Sequence, residues 1–468
     1  MKKYIISQFL LIFQLFYAQD GLLDTTFDVG SGANGNVYLM KQLPNGKVII
    51  GGQFTSFDGN IANGIATLNS DGSFNSSFNT TNEYFRIFDA LIEDNGKIIL
   101  VGEFSTYNGI GRGCIVRIFS DGTIDPTFTT SSGGANMGIS CISKQNDKYI
   151  ISGSFTSFNG IYSNCLARLN ANGTIDQTFN TNGIFSPGAS GNITQNIVLP
   201  DGKILISGRF DSYQNVNRKN IARLNFDGTL DTSFNPGTGA SSSVQSIGVQ
   251  TDGKYIISGS FGLYDGTNKP LIARINNDGS LDNSFSIDLN DFNIISSKTI
   301  IQSDNKIIVG GWISTLNSND EDYITRLNSD GSIDTSFITG TNFDNPINTV
   351  SFQTDGKILA GGWFSSYNGT NREKVLRLQN IFPLSVNEFS FTFVCYPNPT
   401  KNIFYLNFLG TYFEIDKVTI SDIMGNVVIE KNQLPFYNQI DLSNCANGVY
   451  FVTIQNKGKT TTKKIIKN

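Results

Sequence analysis

The sequence of 468 residues contains no histidine. That excludes Ser-His and Cys-His nucleophile pairs, imidazole zinc sites and the usual proton shuttle near neutral pH. Tryptophan occurs twice, methionine four times and cysteine five times. The cysteines, Cys114, Cys141, Cys165, Cys395 and Cys445, are too few and too irregular for a disulfide framework, and their odd number leaves one unpaired within the chain. Cys114 with Cys165, or Cys395 with Cys445, can bridge in an oxidising compartment; buried free thiols are the commoner state of such residues. Charge is sparse as well, with 34 basic residues against 39 acidic ones and a net of −5. No basic run precedes the last few residues, so the footprint of a nucleic-acid binder is missing. No apolar stretch after residue 18 is long enough for a transmembrane span. No phosphate-binding or dinucleotide fingerprint falls between a strand and a helix.

What is present is glycine, 48 residues, and phenylalanine, 36, a composition that suits short strands joined by tight turns. Residues 1–18, MKKYIISQFLLIFQLFYA, read as a secretory signal peptide: Lys2 and Lys3, an apolar run, then Ala18 as a small cleavage residue. A short membrane anchor is the other reading, but the run is brief and carries Gln8 and Gln14.

From there to about residue 380 two signatures alternate. One is a turn, a strand and a double small residue, as in NGKVIIGGQF from Asn45 or DGKILISGRF from Asp201. Its lysines, Lys47, Lys97, Lys148, Lys203, Lys254, Lys306 and Lys357, are spaced by 50, 51, 55, 51, 52 and 51 residues. The other is a strand, a turn and a strand, as in TRLNSDGSIDTSF at Thr325–Phe337, with Asp-Gly dipeptides that supply the positive φ of tight turns. Each period therefore holds about four short strands, the content of one propeller blade, and helical periodicity is absent. The seventh period stops at VLRLQN, ending at Asn380, without a tail, whereas the chain after the leader opens on a bare tail, DGLLDTTF at Asp20–Phe27. An open solenoid would want capping units at its ends; complementary fractions of one repeat predict a closed ring. The expected fold is all-β, a seven-bladed propeller over residues 19–382 in which the N-terminal strand completes the last blade. The tail lies outermost and the Gly-Lys strand nearer the axis. These phrases resemble the delta-60 repeats of bacterial secreted proteins, a resemblance that implies a β-propeller and carries no catalytic motif.

After a linker at 383–392, residues 393–468 read as a small Ig-like β-sandwich. Its motifs are Tyr396-Pro397-Asn398-Pro399, the turn at Asp422–Asn426 with Gly425, the run Gly448-Val449-Tyr450, and Lys463-Lys464 near the end. As a set they resemble the type A C-terminal sorting domain of the type IX secretion system. The resemblance implies the type IX machinery as partner, and a cargo secreted or fixed to the outer cell surface, with possible removal of the domain. An ordinary adhesion module is the blander reading.

For chemistry, the most informative position follows the small pair, because there the repeat does not repeat: Gln53, Glu103, Ser154, Arg209, Ser260, Trp312 and Trp363. Both tryptophans fall on this one position in neighbouring blades. If the blades are equivalent, the seven side chains ring the axis at one level, and aromatic faces with polar anchors suit a sugar or aromatic ligand. The alternative is a variable strand end whose tryptophans fill space between blades. Most aspartates recur at turn positions (Asp71, Asp121, Asp227, Asp278, Asp330), which points to turn geometry. The Asn-x-Asp-Gly-x-x-Asp loops lack the ligand ladder and closing Glu of an EF-hand, so calcium at these turns is a minor reading and no cofactor is expected. The expectation is a non-enzymatic module binding extracellular polysaccharide or protein. A carbohydrate-active enzyme, glycoside hydrolase or lyase, would use a carboxylate pair in the channel; Glu103 is the first suspect, ahead of Glu93, Glu321 and Glu373. A purely structural surface-layer component is the third possibility.

Overall fold

A computed structural model of the chain describes residues 19–78, 85–130, 133–179, 184–185, 191–287, 293–314, 321–380, 392–409, 415–434, 438–456 and 459–468. The expected leader at 1–18 lies outside them, as does the expected linker except for Thr392, which already belongs to the strand Thr392–Tyr396. The second strand of the repeat is rich in Ile, Val and Leu and follows a tight Asn/Asp turn, as Val48–Gln53 follows Asn45-Gly46, and the described residues contain no helix.

Seven antiparallel three-stranded sheets succeed one another along residues 36–378. In the first, Asn36–Gln42 pairs with the Gly-Lys strand Val48–Gln53, which pairs with Ile65–Leu68. The expected fourth strand is a single bridged residue, Phe74 against Leu68. The tail cannot run on as a strand, because Asx-type turns fold it on both sides. Asp71 accepts the Ser73 amide at 3.0 Å, and Asn75 accepts the Ser77 hydroxyl at 2.8 Å. The Gly-Lys strand lies nearer the axis than the tail but is second, not innermost. The innermost place goes to the strand before the Gly-Lys turn, and these inner strands touch their neighbours round the ring. Side chains stitch them together: the Lys41 ammonium donates to the Ala90 carbonyl at 2.6 Å, the Thr194 hydroxyl to Val244 at 3.0 Å, and the Ser351 hydroxyl to Met40 at 2.8 Å.

The double small residue has two distinct causes. A Cβ on Gly51 would stand 2.8 Å from the Ile87 side chain of the next blade; one on Gly52 would stand 2.0 Å from the Asn36 carbonyl oxygen. The inner strand comes that close because it carries a β-bulge at Tyr38, and a bulge interrupts the corresponding pairing in all seven blades. The core is a set of layers between blades. Leu359 and Val375 of blade seven, for example, pack with Val37, Met40 and Ile50 of blade one.

The ring closes as expected. Leu23 bridges Leu378, the Asp24 amide donates to the Arg377 carbonyl at 2.8 Å, and Phe27 is fully buried beside blade one. The Tyr367 hydroxyl donates to the Gly21 carbonyl at 2.5 Å, the same bond that Tyr107, Tyr213 and Tyr264 make to the turn glycine of their own repeats. Asp20 also pairs with Arg326 of blade six at 2.7 Å, so the segment straddles two blades.

An ionic clasp recurs at the outer edge of six blades. The tail aspartates Asp125, Asp176, Asp231, Asp282, Asp334 and, in blade seven, Asp24 each hold the Gly-Lys lysine at 2.7–2.9 Å. Each also holds the Nε of an arginine in the third strand at 2.6–2.7 Å. That arginine lies over the tail phenylalanine, 4.6–5.1 Å from the ring centroid. Its Nη1 reaches into the next blade, as Arg117 does to the Ala171 carbonyl at 2.7 Å and Arg377 to Ser70 at 2.9 Å. Burial alone would raise the Asp24 pKa, but bonds from Lys357, Thr26 and Arg377 outweigh it and hold the carboxyl at about 2. Blade one departs from the pattern. Thr67 and Asn75 stand at the arginine and aspartate positions and share a neutral bond of 2.8 Å, and Lys47 has no ion-pair partner among the described residues.

The C-terminal unit is a sandwich. A three-stranded sheet (Thr392–Tyr396, Ile403–Leu409, Asn438–Asp441) faces a four-stranded one (Val427–Leu434, Ile415–Asp422, Gly448–Asn456, Lys459–Lys467) across Phe393, Phe404, Val418, Val452 and Ile465.

Candidate binding face

Of the seven residues after the small pair, Gln53, Glu103 and Arg209 end the second strand opposite the first residue of the innermost one, Ser154, Ser260 and Trp363 directly follow its last residue, and Trp312 lies inside Ile307–Ser314, on the other side of its blade's bulge from the rest. The register pairs Asn36 with Gln53, Arg86 with Glu103, Asn192 with Arg209, and Ser296 with Trp312. Backbone bonds of 2.9–3.0 Å tie Ser154 to Gly138, Ser260 to Ser243 and Trp363 to Pro346 in the equivalent places. Six of the positions thus stand at the same end of their blades, one strand out from the axis, and Trp312 is offset by its blade's bulge. Gln53 and Ser154 are half-buried, whereas Glu103, Arg209 and Ser260 are exposed. Trp312 is 40% exposed and Trp363 53%. Each indole thus leaves roughly half of its surface in water.

Three residues that the repeat pattern did not single out join them. Arg86, first in the inner strand of blade two, donates to Gln53 at 3.0 Å and to the Glu103 carboxylate at 3.1 Å, linking blades one and two. The bulge residue Tyr38 donates its hydroxyl to Gln53 at 3.2 Å, and its ring meets that of the bulge residue Phe88 edge-on at 5.8 Å. Blades six, seven, one and two therefore present Trp312, Trp363, Tyr38 with Gln53, and Phe88 with Arg86 and Glu103. The bulge is what a repeat-based reading misses: it turns a residue of the least repetitive strand toward this face. Beside Glu103, between blades two and three, opens a cleft of about 430 Å³ with Phe104, Cys114 and Ala135 beneath and Ser105, Asn136 and Met137 around it.

The other carboxylates suspected of chemistry are dispersed. Glu93 is buried, bonded by the Tyr149 hydroxyl and 3.6 Å from Arg117. Glu373 pairs with Lys374 at 2.8 Å, and the Glu321 side chain lies outside the described residues. At the Asp-Gly turns the first aspartate binds its own turn, Asp227 accepting from Thr229 at 3.0 and 2.7 Å, and the second is the clasp residue. Among the described residues no three metal-ligating side chains converge. All five cysteines are free thiols. Burial pushes Cys141, Cys165 and Cys395 up to about 12.

In the C-terminal unit the expected motifs meet in space. Asn398 of the Tyr-Pro-Asn-Pro segment accepts from the Ile466 amide at 3.0 Å and donates to the Lys464 carbonyl at 2.9 Å. Pro397 and Pro399 are exposed, as are Lys463 and Lys464, while the Tyr396 side chain lies outside the described residues. Tyr450 donates to the Ala446 carbonyl at 2.6 Å, and Gly448 opens its strand. Lys467, which the motifs did not flag, is buried and donates to the carbonyls of Leu442 at 2.9 Å and Cys445 at 2.6 Å.

A family model described as a domain of unknown function (DUF5122) beta-propeller matches residues 43–78, 93–128, 144–179, 199–234, 250–285, 302–337 and 353–380, more than half of the chain. The chain belongs to this β-propeller family. Residues 394–468 match the secretion system C-terminal sorting domain. This member of the family is therefore a cargo that interacts with the type IX secretion machinery and is secreted or attached at the cell surface. No helix among the described residues is long and apolar enough to cross a membrane. No curated protein matches the sequence. Among solved structures the chain is similar to PorZ, a surface component of the type IX secretion system of Porphyromonas gingivalis, at 13% identity and a TM-score of 0.46. It is similar too to the extracellular domain of a putative one-component system of B. thetaiotaomicron, at 14% identity and a TM-score of 0.41. It covers 93% and 97% of its own length in these matches and spans 60% of each of those chains. The WD40 domain of Neurospora crassa Pan2 matches 70% of the chain over 86% of that domain, at 10% identity and a TM-score of 0.41.

Proposed function

We propose that this propeller is a non-catalytic binding module for extracellular polysaccharide, carried to its site of action by the sorting domain. The observation that carries the reading is the exposure of both tryptophans at one repeated position of neighbouring blades, continued over blades one and two by Tyr38, Phe88, Gln53, Arg86 and Glu103. Flat indole faces stack on sugar rings, and the amide and charged groups beside them bond hydroxyls. The ion pair of Glu103 with Arg86 sets acceptor oxygens and guanidinium donors side by side, as recognition of hydroxyl groups requires.

The two tryptophans are also the only ones in the chain, so fluorescence excited selectively in indole reports on this face alone. Titrating the full chain with soluble glycans should change that signal and saturate. Trp312→Ala and Trp363→Ala should each abolish saturable binding while leaving the protein folded, at a stability cost of no more than about 2 kcal/mol for the covered half of the ring. A loss of several kcal/mol would return the tryptophans to a packing role. Cleaved glycan in the same mixtures would make the protein an enzyme, and silence across polysaccharides, with capture of a protein ligand instead, would change the ligand class.

A further inference from the structure

The four-stranded sheet of the sorting domain has two edges, and they are treated differently. One is the terminal strand Lys459–Lys467, which carries exposed Lys463 and Lys464 and is overlaid at its end by the Tyr-Pro-Asn-Pro segment. There the Thr400 amide donates to the Ile466 carbonyl at 2.8 Å, and the Asn468 amide to Thr400 at 2.9 Å. Lysines and a covering segment are standard protections of a sheet edge. The other edge is Val427–Leu434, which among the described residues is paired on one side only, to Ile415–Asp422. It begins with exposed Val427 and Val428 and is entered through the turn Asp422–Asn426. At the turn's crest Met424 is 80% exposed and Ile423 69%, with no part of the described chain covering them.

Nothing about this turn is slack. Asp422 Oδ1 accepts the amides of Met424 and Asn426, both at 2.9 Å, Oδ2 accepts the Asn426 side-chain amide at 3.0 Å, and Gly425 takes a φ of 86°. With the backbone bonds from the Asp422 amide to the Asn426 carbonyl and from the Gly425 amide to the Asp422 carbonyl, both at 3.0 Å, five hydrogen bonds are thus spent on holding two large apolar side chains out in water. Such a knob, continuous with a bare strand edge, is shaped to insert into an apolar groove and to add a strand.

We infer that the type IX machinery recognises this domain through the turn at Ile423–Met424 and the open edge at Val427–Val428, rather than through the lysine-rich end. The occupant follows from the domain itself: residues 394–468 match a sorting domain, whose task is to be bound by the machinery. The inference concerns the export route and is independent of the glycan reading of the propeller.

The test is export of the full-length chain from its own type IX-secreting cells. The variants are Ile423→Asp with Met424→Asp, Met424→Leu, Lys463→Ser with Lys464→Ser, and a chain lacking residues 394–468. The double aspartate variant should accumulate in the periplasm with extracellular protein reduced about tenfold or more, as expected for losing an interface anchor. Met424→Leu and the double serine variant should be exported normally. The purified double aspartate protein should melt like the parent, because both side chains are already in water. Normal export of the double aspartate variant, or a block by the serine variant alone, overturns the inference. Export of the truncated chain overturns the reading of the sorting domain. Self-association of the parent that the aspartates abolish, with export intact, reassigns the patch to a contact between copies.

Discussion

Blade one and the six blades that follow it share the same turns and the same Gly-Lys strand, yet close their outer edges by different means. In blades two to seven an aspartate binds a lysine and an arginine of its own blade, and the arginine then reaches a neighbour. In blade one a threonine and an asparagine make one neutral bond, and the lysine is left over. Both arrangements leave their buried polar atoms satisfied, which is the condition a buried group must meet. They differ in what removal of one member does. Taking the aspartate from a clasp strands two cations, whereas taking Asn75 strands a hydroxyl. The difference also marks a seam, since no arginine of blade one spans the boundary to blade two.

The largest contrast comes from blade seven, whose clasp depends on a segment 333 residues distant from its lysine. Deleting residues 20–27 removes Asp24 from Lys357 and Arg377, Asp20 from Arg326, and the buried Phe27. Losing the carboxylate of a buried pair costs about 3–5 kcal/mol, and losing a core phenylalanine about as much. The truncated protein should unfold at far lower urea and aggregate through the exposed edge of blade seven. Coincident urea curves for the two proteins would show that the ring does not need its closing segment.

Acid should separate the two kinds of blade next. The six clasp aspartates have folded pKa values below those of the unfolded chain: burial opposes this, and the bonds from lysine, arginine and hydroxyl overcome it. A depressed carboxyl contributes stability that is fully present above its unfolded pKa near 4 and is lost as pH falls through its folded value. Between about pH 4 and 2, therefore, the outer strands of blades two to seven should lose hydrogen-exchange protection, after correction for intrinsic rates. Ile65–Leu68 of blade one should lose much less, because Asn75 has no proton to gain. Equal losses in all seven blades would remove the clasp from any role in stability.

How much of this could be read from the sequence depends on how far each residue's surroundings repeat. The turns, the Gly-Lys strand and the tail see the same neighbours in every blade, so their residues recur and the ring could be counted. The innermost strand reads NVYLMKQ, RIFDALI and NITQNIV in blades one, two and four, because near the axis each blade meets a different neighbour. Tyr38, Phe88 and Arg86 stand on it, where no recurrence marks them, whereas the tryptophan position belongs to the repetitive second strand. The clasp is hard to see for another reason, since its aspartates stand four residues beyond the turn aspartates and no single copy of the repeat shows what they bind. The arginine precedes the tail aspartate by eight residues, and where blade one replaces the first with Thr67 it also replaces the second with Asn75. That paired loss was a contact signal within the repeats themselves.

The smallest effect sharpens the comparison most, because it rebuilds the clasp where it is missing. Blade one retains the other parts: Lys47 is half-buried and has no ion-pair partner among the described residues, Phe78 is buried at the position of the ring beneath each arginine, and Ser77 already bonds residue 75 as its counterparts do. Thr67→Arg with Asn75→Asp should raise stability by about 1 kcal/mol, a typical gain for restoring a pattern consistent with the rest of a repeat. Thr67→Arg alone should lower it, since the guanidinium then enters a buried site without a carboxylate. Lys47→Met should be neutral in the parent and destabilising in the double variant, a coupling that a mutant cycle in urea measures directly. A double variant no more stable than the sum of its single changes would mean that the clasp in the other six blades is a consequence of their packing rather than a support of it.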